Sequence, residues 1–192
     1  MASRAEQREQ TRRVLLRESR HLFATKGYAA VGLAEIVQAA GVTKGALYHH
    51  FESKTELFRV VLAEVQQEVA ATVAATADAR NDLWDSFTAG CQAFLTATTD
   101  PDIQRIMLID GPAVLGWNEW RAMDEAGSAR HLAEALADLI EAGLIARQPV
   151  APLAHLLSGA MNEAALWLAT APEALDDTRT ALSRMLDALR TG

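Results

Sequence analysis

The residues best suited to chemistry lie between positions 43 and 49, and the chemistry they suit is recognition of nucleic acid. Thr43, Lys44, Gly45 and Ala46 place small or hydrogen-bonding groups at the start of a short helix, the end that enters a major groove, where the first amides can also face phosphate. Tyr48 and His49 supply donors for phosphate oxygens or base edges, while Leu47 and Phe51 fall on the opposite face and suit a core. Plainer roles fit the same residues: Thr43 as an N-cap, Tyr48 as a half-buried spacer, His49-His50 as a solvated pair. Adjacent histidines do not share a helix face, so they make poor metal ligands.

Bond-making chemistry has little to work with. The chain has no Gly-rich phosphate loop, no His-Glu-x-x-His and no Ser-centred nucleophile elbow, and its acidic residues are dispersed. A single cysteine, Cys91, excludes an internal disulfide framework and zinc sites of the four-cysteine or two-cysteine kind, and fits a reducing compartment. Neither an enzyme nor a metal or cofactor is expected.

The elements that must position residues 43–49 follow from apolar spacing. Leu15, Ser19, Leu22 and Phe23 mark one face of a first helix over about 8–26, closed by Gly27. Leu33, Ile36, Val37 and Ala40 give a short second helix, and Gly41 offers the left-handed position that ends it. Thr43 then caps a third helix over 44–50, so Gly41-Val42-Thr43 separates two short helices at helix-turn-helix spacing. Ser53-Lys54-Thr55-Glu56 reads as a capping box for a long fourth helix over about 54–76, lined by Leu57, Phe58, Val61, Leu62, Val65, Val69 and Val73.

Leu83, Trp84, Phe87, Cys91, Phe94 and Leu95 mark a fifth helix. Asp100-Pro101 opens a sixth, expected to stop at Asp110-Gly111-Pro112. A seventh is predicted from about 118 to 143 with an interruption at Gly127-Ser128, an eighth from Pro149 and Pro152, and a ninth beyond Pro172. No β-type alternation occurs, so the predicted fold is all-α with about nine helices.

Charge divides the chain of 192 residues. Residues 1–60 carry ten basic and six acidic side chains and all three lysines, whereas the whole chain is −7, so the remainder is strongly acidic. The acidic part is a poor match for phosphate. The first ten residues are charged and lack an apolar h-region, and no stretch approaches the roughly 18 apolar residues of a membrane span. The expectation is a soluble, cytoplasmic protein without a membrane partner.

The run from Ile36 to Phe51, with Leu22-Phe23-Ala24-Thr25-Lys26-Gly27-Tyr28 upstream and Ser53-Lys54-Thr55-Glu56-Leu57-Phe58 downstream, closely resembles the TetR family of one-component transcriptional regulators. Some fifty contiguous residues fit in type and spacing, far more than a short motif offers. The resemblance implies a helix-turn-helix DNA-binding domain over 1–53, a connecting helix, and a ligand-binding and dimerisation domain over 77–192. It also implies that Lys54 meets the DNA backbone. The chain departs from the pattern in two places. Val31-Gly32 stands where relatives carry a Thr/Ser pair that caps helix two and binds phosphate, leaving only accessible amides at Gly32. Ala46 stands where Thr is common and offers a methyl contact, for example to thymine.

Aromatic and sulfur side chains cluster in the acidic part: Phe87, Cys91, Phe94, Met107, Trp117 and Trp120, with Met161 and Asn162 on helix eight. They suit an apolar cavity for a hydrophobic or aromatic effector, and equally an ordinary core. Asn162, Asp110 and His131 are polar positions in apolar surroundings that need partners. Leu153, Leu157, Ala164 and Leu168 on helix eight and Leu182, Met185, Leu186 and Leu189 on helix nine form stripes that suit either a helix-pair interface or intramolecular core. The resemblance favours a homodimer through a four-helix interface. The reading that follows is a dimeric repressor, binding a pseudo-palindromic operator and released by a small effector. A DNA- or partner-binding regulator without an effector is the alternative.

Overall fold

The computed structural model describes residues 3–191; Met1, Ala2 and Gly192 lie outside the described residues. Helix α1 spans Arg4–Lys26 and starts at a capping box: the Ser3 hydroxyl accepts the Glu6 N–H at 3.2 Å and the Glu6 carboxylate accepts the Ser3 N–H. It therefore begins four residues before the predicted 8, because the start is set by polar caps while the apolar period begins only at Leu15. Gly27, with φ +80°, ends it. A 3-10 turn, Tyr28–Ala30, leads to α2, Leu33–Ala39; Gly41, with φ +64°, turns the chain into α3, Lys44–His50.

Leu15, Phe23, Ile36, Leu47, Phe51 and Phe58 close a core under these helices, with the Phe23 and Phe58 rings edge-on at 5.3 Å. Helix α4, Lys54–Asp78, continues from the Ser53 cap, and its buried row from Leu57 to Val73 packs on α1 at one end and along α5, Leu83–Ala97, at the other. One helix thus carries a continuous core from the N-terminal helices into the rest of the chain.

From Pro101 the chain runs through α6, Pro101–Gln104, a π-helical stretch, Arg105–Asp110, and α7, Gly111–Leu115. The stop predicted at Asp110-Gly111-Pro112 does not occur. Pro112 falls in the first turn of α7, where an N–H is dispensable, and the wide π turn before it relieves the ring clash. Gly111 is needed there for another reason: a Cβ would lie 2.8 Å from Trp120 Cδ1.

The predicted seventh helix is two, α8, Trp117–Glu125, and α9, Ser128–Glu141, broken at Ala126-Gly127. Helix α10, Val150–Leu168, and α11, Leu175–Asp187, complete the chain, joined by a 3-10 turn, Pro172–Ala174. The fold is all-α. Among the described residues the only bridge is an isolated antiparallel pair, Ile145 with Arg190, and no helix is long and apolar enough to cross a membrane.

The stripes on α10 and α11 face inward. Leu153, Leu157, Leu168, Leu182 and Leu186 are buried within the chain, and Ala164 and Leu189 half-buried, so they are intramolecular core and not a free interface. Only Met185 of that set is exposed. The period identified residues sharing a face correctly; the α5 and α9 surfaces claimed that face first. The outward apolar residues are Leu156, 72% exposed, Trp167, 51%, Leu166 and Met185.

Candidate functional site

Thr43 caps α3, its Oγ1 accepting the Ala46 N–H at 3.1 Å, and also stands on the open surface. Leu47 is fully buried and fixes the helix roll, so Lys44, Gly45, Tyr48 and His49 point outward, with Ala46 half-buried between them. Tyr48 is 48% exposed, and Lys44 Nζ lies 5.8 Å from its ring centroid. Among the described residues no other part of the chain covers Lys44, Gly45, Tyr48 or His49, which are all exposed. Arg8 and Arg12 of α1 are close enough to His50 to lower its pKa, an effect second to its burial, and Arg12 sits over the Phe51 ring at 5.8 Å. Cationic surface therefore continues from α3 onto α1, as phosphate binding requires. Gly32 is the N-cap of α2, exposed, with no side chain capping the first turn.

Lys54, expected to meet the DNA backbone, has a second role inside the chain. Its Nζ donates to the carbonyls of Tyr28 and Val31, both at 2.9 Å, and lies 3.9 Å from the Tyr28 ring centroid. The Tyr28 hydroxyl pairs with Thr55 Oγ1 at 2.9 Å. Two of the three ammonium donors are spent tying the 3-10 turn to the start of α4, so Lys54 is an internal brace with one donor left for DNA. Spacing could not reveal this, since the partners are backbone carbonyls.

The eight residues assigned to one ligand pocket fall in three places. Phe87, Cys91, Phe94 and Met161 line a cavity of about 220 Å³ between α4, α5, α9 and α10. Trp117, Trp120 and Asn162 line a separate groove of about 330 Å³ between α8 and α10. Met107 is fully buried and borders neither; its carbonyl accepts the Trp120 Nε1–H at 2.7 Å. A buried indole must satisfy its single donor, and this bond turns Trp120 away from the first cavity. Asn162 is buried with Oδ1 unpartnered.

Sequence reasoning missed the polar centre of the domain. Arg121 Nη1 donates to Asp124 Oδ2 at 2.8 Å and Ser158 Oγ at 2.9 Å, joining α8 to α10. Burial raises the Asp124 pKa, and the Arg121 guanidinium opposes that shift. The i,i+3 spacing of Arg121 and Asp124 was the available signal. Asp124 and Ser158 border the first cavity, as does His131. Asp110 instead faces the N-terminal helices, accepting the Tyr28 N–H. Among the described residues no group of three or more His, Cys, Asp or Glu side chains could hold a metal ion.

A free, capped recognition helix and a second all-helical domain with its own cavity agree with what two family models find. One, for the tetracyclin repressor-like C-terminal domain, matches residues 84–190, more than half of the chain; the other, for bacterial regulatory proteins of the tetR family, matches residues 15–61. The chain belongs to the TetR family. This TetR-family chain is 33% identical to a TetR-family transcriptional regulator from Pectobacterium atrosepticum of known crystal structure, with a TM-score of 0.80 over 100% of this chain and 99% of that one. It is 32% identical over 105 residues to the Transposon Tn10 TetC protein of Escherichia coli, covering 55% of this chain and 53% of that protein. It is 44% identical over 59 residues to the HTH-type transcriptional regulator AcrR of Shigella flexneri, covering 30% and 27%. The chain thus spans about half the length, or less, of the curated relatives it matches. TetR-family proteins are transcriptional regulators with a DNA-binding helix-turn-helix, not enzymes.

Proposed function

We propose that this TetR-family chain is a homodimeric, cytoplasmic repressor that binds a pseudo-palindromic DNA operator and is released by a small hydrophobic or aromatic effector. The observation that carries the reading is the outer face of α3: Thr43, Lys44, Gly45, Tyr48 and His49 stand free on a rigid helix beside the cationic flank of α1. Thr43 and Ala46 reach base edges, Lys44, Tyr48 and His49 the backbone or bases, and the Gly32 turn and the third donor of Lys54 add phosphate contacts. Residues 1–53 form the DNA-binding unit, α4 the connection, and 77–192 the effector and dimer unit.

Dimerisation is supported by the outward face of α10, where Leu156 and Trp167 are exposed on the side that carries Gly159, and by the exposed Met185 of α11. A glycine inside an exposed helix costs about 1 kcal/mol relative to alanine, and nothing in the chain lies within 4 Å of where its Cβ would be. A second helix crossing there would give that loss a return. The cavity lined by Phe87, Cys91, Phe94 and Met161 is the effector site.

Selection of bound sequences from random duplexes tests the reading. A recovered two-fold-symmetric site, with affinity lowered by a cavity ligand, is the expected result. Recovery of no sequence preference would remove it.

A further inference from the structure

The charge around the effector cavity indicates what kind of molecule it admits. Its wall is apolar where Val73, Phe87, Phe94, Leu132 and Met161 meet, and its titratable lining is Asp78, Asp124, Asp138 and His131, with Cys91 buried; no lysine or arginine lines it among the described residues. These carboxylates differ in their surroundings. Asp124 is ion-paired with Arg121, and the positive N-terminus of α9 lies beside it at Ser128, so that carboxylate is compensated.

Asp78 and Asp138 have no ion-pair partner among the described residues. Asp78 is the last residue of α4 and is exposed, so its carboxylate adds to the negative pole of a helix of 25 residues whose last turn carries no basic residue; Arg80, two residues beyond, lines a separate groove with Thr76 and Asp85. Asp138, exposed on α9, lines the same cavity, and the cations of α9, Arg130 and His131, pair with Glu134 instead. Two carboxylates and a helix C-terminus therefore set a negative potential in the lining of an apolar chamber, inside a part of the chain that is itself acidic. An anion entering would meet repulsion without a cation to receive it, whereas a cation relieves an arrangement that is unfavourable in the free protein.

We infer that the effector is a small lipophilic amine, bound with its ring or hydrocarbon part among Phe87, Phe94 and Met161 and its ammonium between Asp78 and Asp138. This rests on the effector reading above. The chamber of about 220 Å³ exceeds the engineered cavity of about 150 Å³ that holds benzene, so one or two rings fit. Each semi-exposed carboxylate contributes modestly, and together they favour the cation over a neutral isostere by roughly five- to tenfold.

Calorimetry on the full chain with 2-phenylethylamine, 2-phenylethanol and 3-phenylpropanoate tests this at pH 7 and low salt. The expected order is amine, then alcohol, then acid. The double variant Asp78→Asn/Asp138→Asn should shrink the amine's advantage to less than about twofold and leave the alcohol unchanged, since both side chains keep their size. Alcohol or acid binding as tightly as the amine, or an amine preference surviving in the double variant, overturns the charge assignment while leaving a working effector cavity. No binding by any of the three, nor by 2-naphthylethylamine, 2-naphthylethanol and 2-naphthylacetate, overturns the effector reading itself and the inference with it.

Discussion

The Asp110 carboxylate accepts the backbone N–H of Tyr28 at 2.7 Å, across 82 positions of chain. It ties the last residue of the π-helical stretch to the turn between α1 and α2, and Arg105 of the same stretch lies over Gly27, where a Cβ would stand 2.5 Å from Nη2. The C-terminal part of the chain thus grips the backbone at the root of the helix-turn-helix. Asp110→Ala orphans a part-buried N–H and should cost about 1–3 kcal/mol. Urea unfolding measures that loss. In the same variant, effector addition should change operator affinity less than in the parent, and an unaltered effector response would show the tie to be structural only.

Lys44→Ala and Tyr48→Phe should weaken operator binding without changing the thermal midpoint, because both side chains are exposed. Lys44→Ala should lower the salt slope by about 1, as expected for one phosphate contact, and Tyr48→Phe should cost about 1 kcal/mol if its hydroxyl donates. Shift assays across a salt series separate the two effects. Parental affinity in both variants would remove α3 as the reading helix.

Much of this DNA-binding unit was legible because its signals are local. Thr43 and Ser53 are caps whose partners sit three residues away, and Gly27 and Gly41 do adopt positive φ. Contacts distant in sequence were not legible. The Lys54 bond to Tyr28 O, the Trp120 bond to Met107 O and the Arg121 bond to Ser158 each depend on how helices cross, which no period encodes. The same gap misdirected the Leu157 and Leu186 stripes, since amphipathicity defines a buried face without naming what buries it.

Lys54→Met should destabilise the fold by about 2 kcal/mol, because it removes charge-assisted bonds to two carbonyls and the cation–π contact with Tyr28. Differential scanning calorimetry reads this directly. A surface lysine serving DNA alone would leave the midpoint where it was.

Leu156→Glu and Trp167→Glu introduce charge on the outward face of α10 and should yield folded monomers by sedimentation velocity. Leu157→Glu, one residue along, should instead unfold the chain, because that side chain is buried internally. Dimers persisting in both outward variants would place the interface elsewhere.

Burial pushes the Cys91 thiol from its ordinary 9.0 up to about 12. The folded chain therefore holds a proton that the unfolded chain releases between about pH 9 and 12, and stability falls as pH rises through that window. Cys91→Ser or Cys91→Ala should flatten the dependence in urea titrations. At pH 8 the native thiol should also resist a disulfide reagent that modifies it freely in denaturant.

Helix α4 begins at the Lys54 brace and ends at the carboxylate of Asp78, which lines the cavity of about 220 Å³, a rod of 25 residues. At 1.5 Å per residue it is about 37 Å long, so pivoting it by roughly 5° at one end carries the other about 3 Å sideways. That stroke is close to the spacing of stacked bases, about 3.4 Å, and in a two-fold assembly both arms would swing in mirrored directions. A guest too small to disturb more than a few side chains could therefore throw two reading heads out of step with the pitch of the duplex.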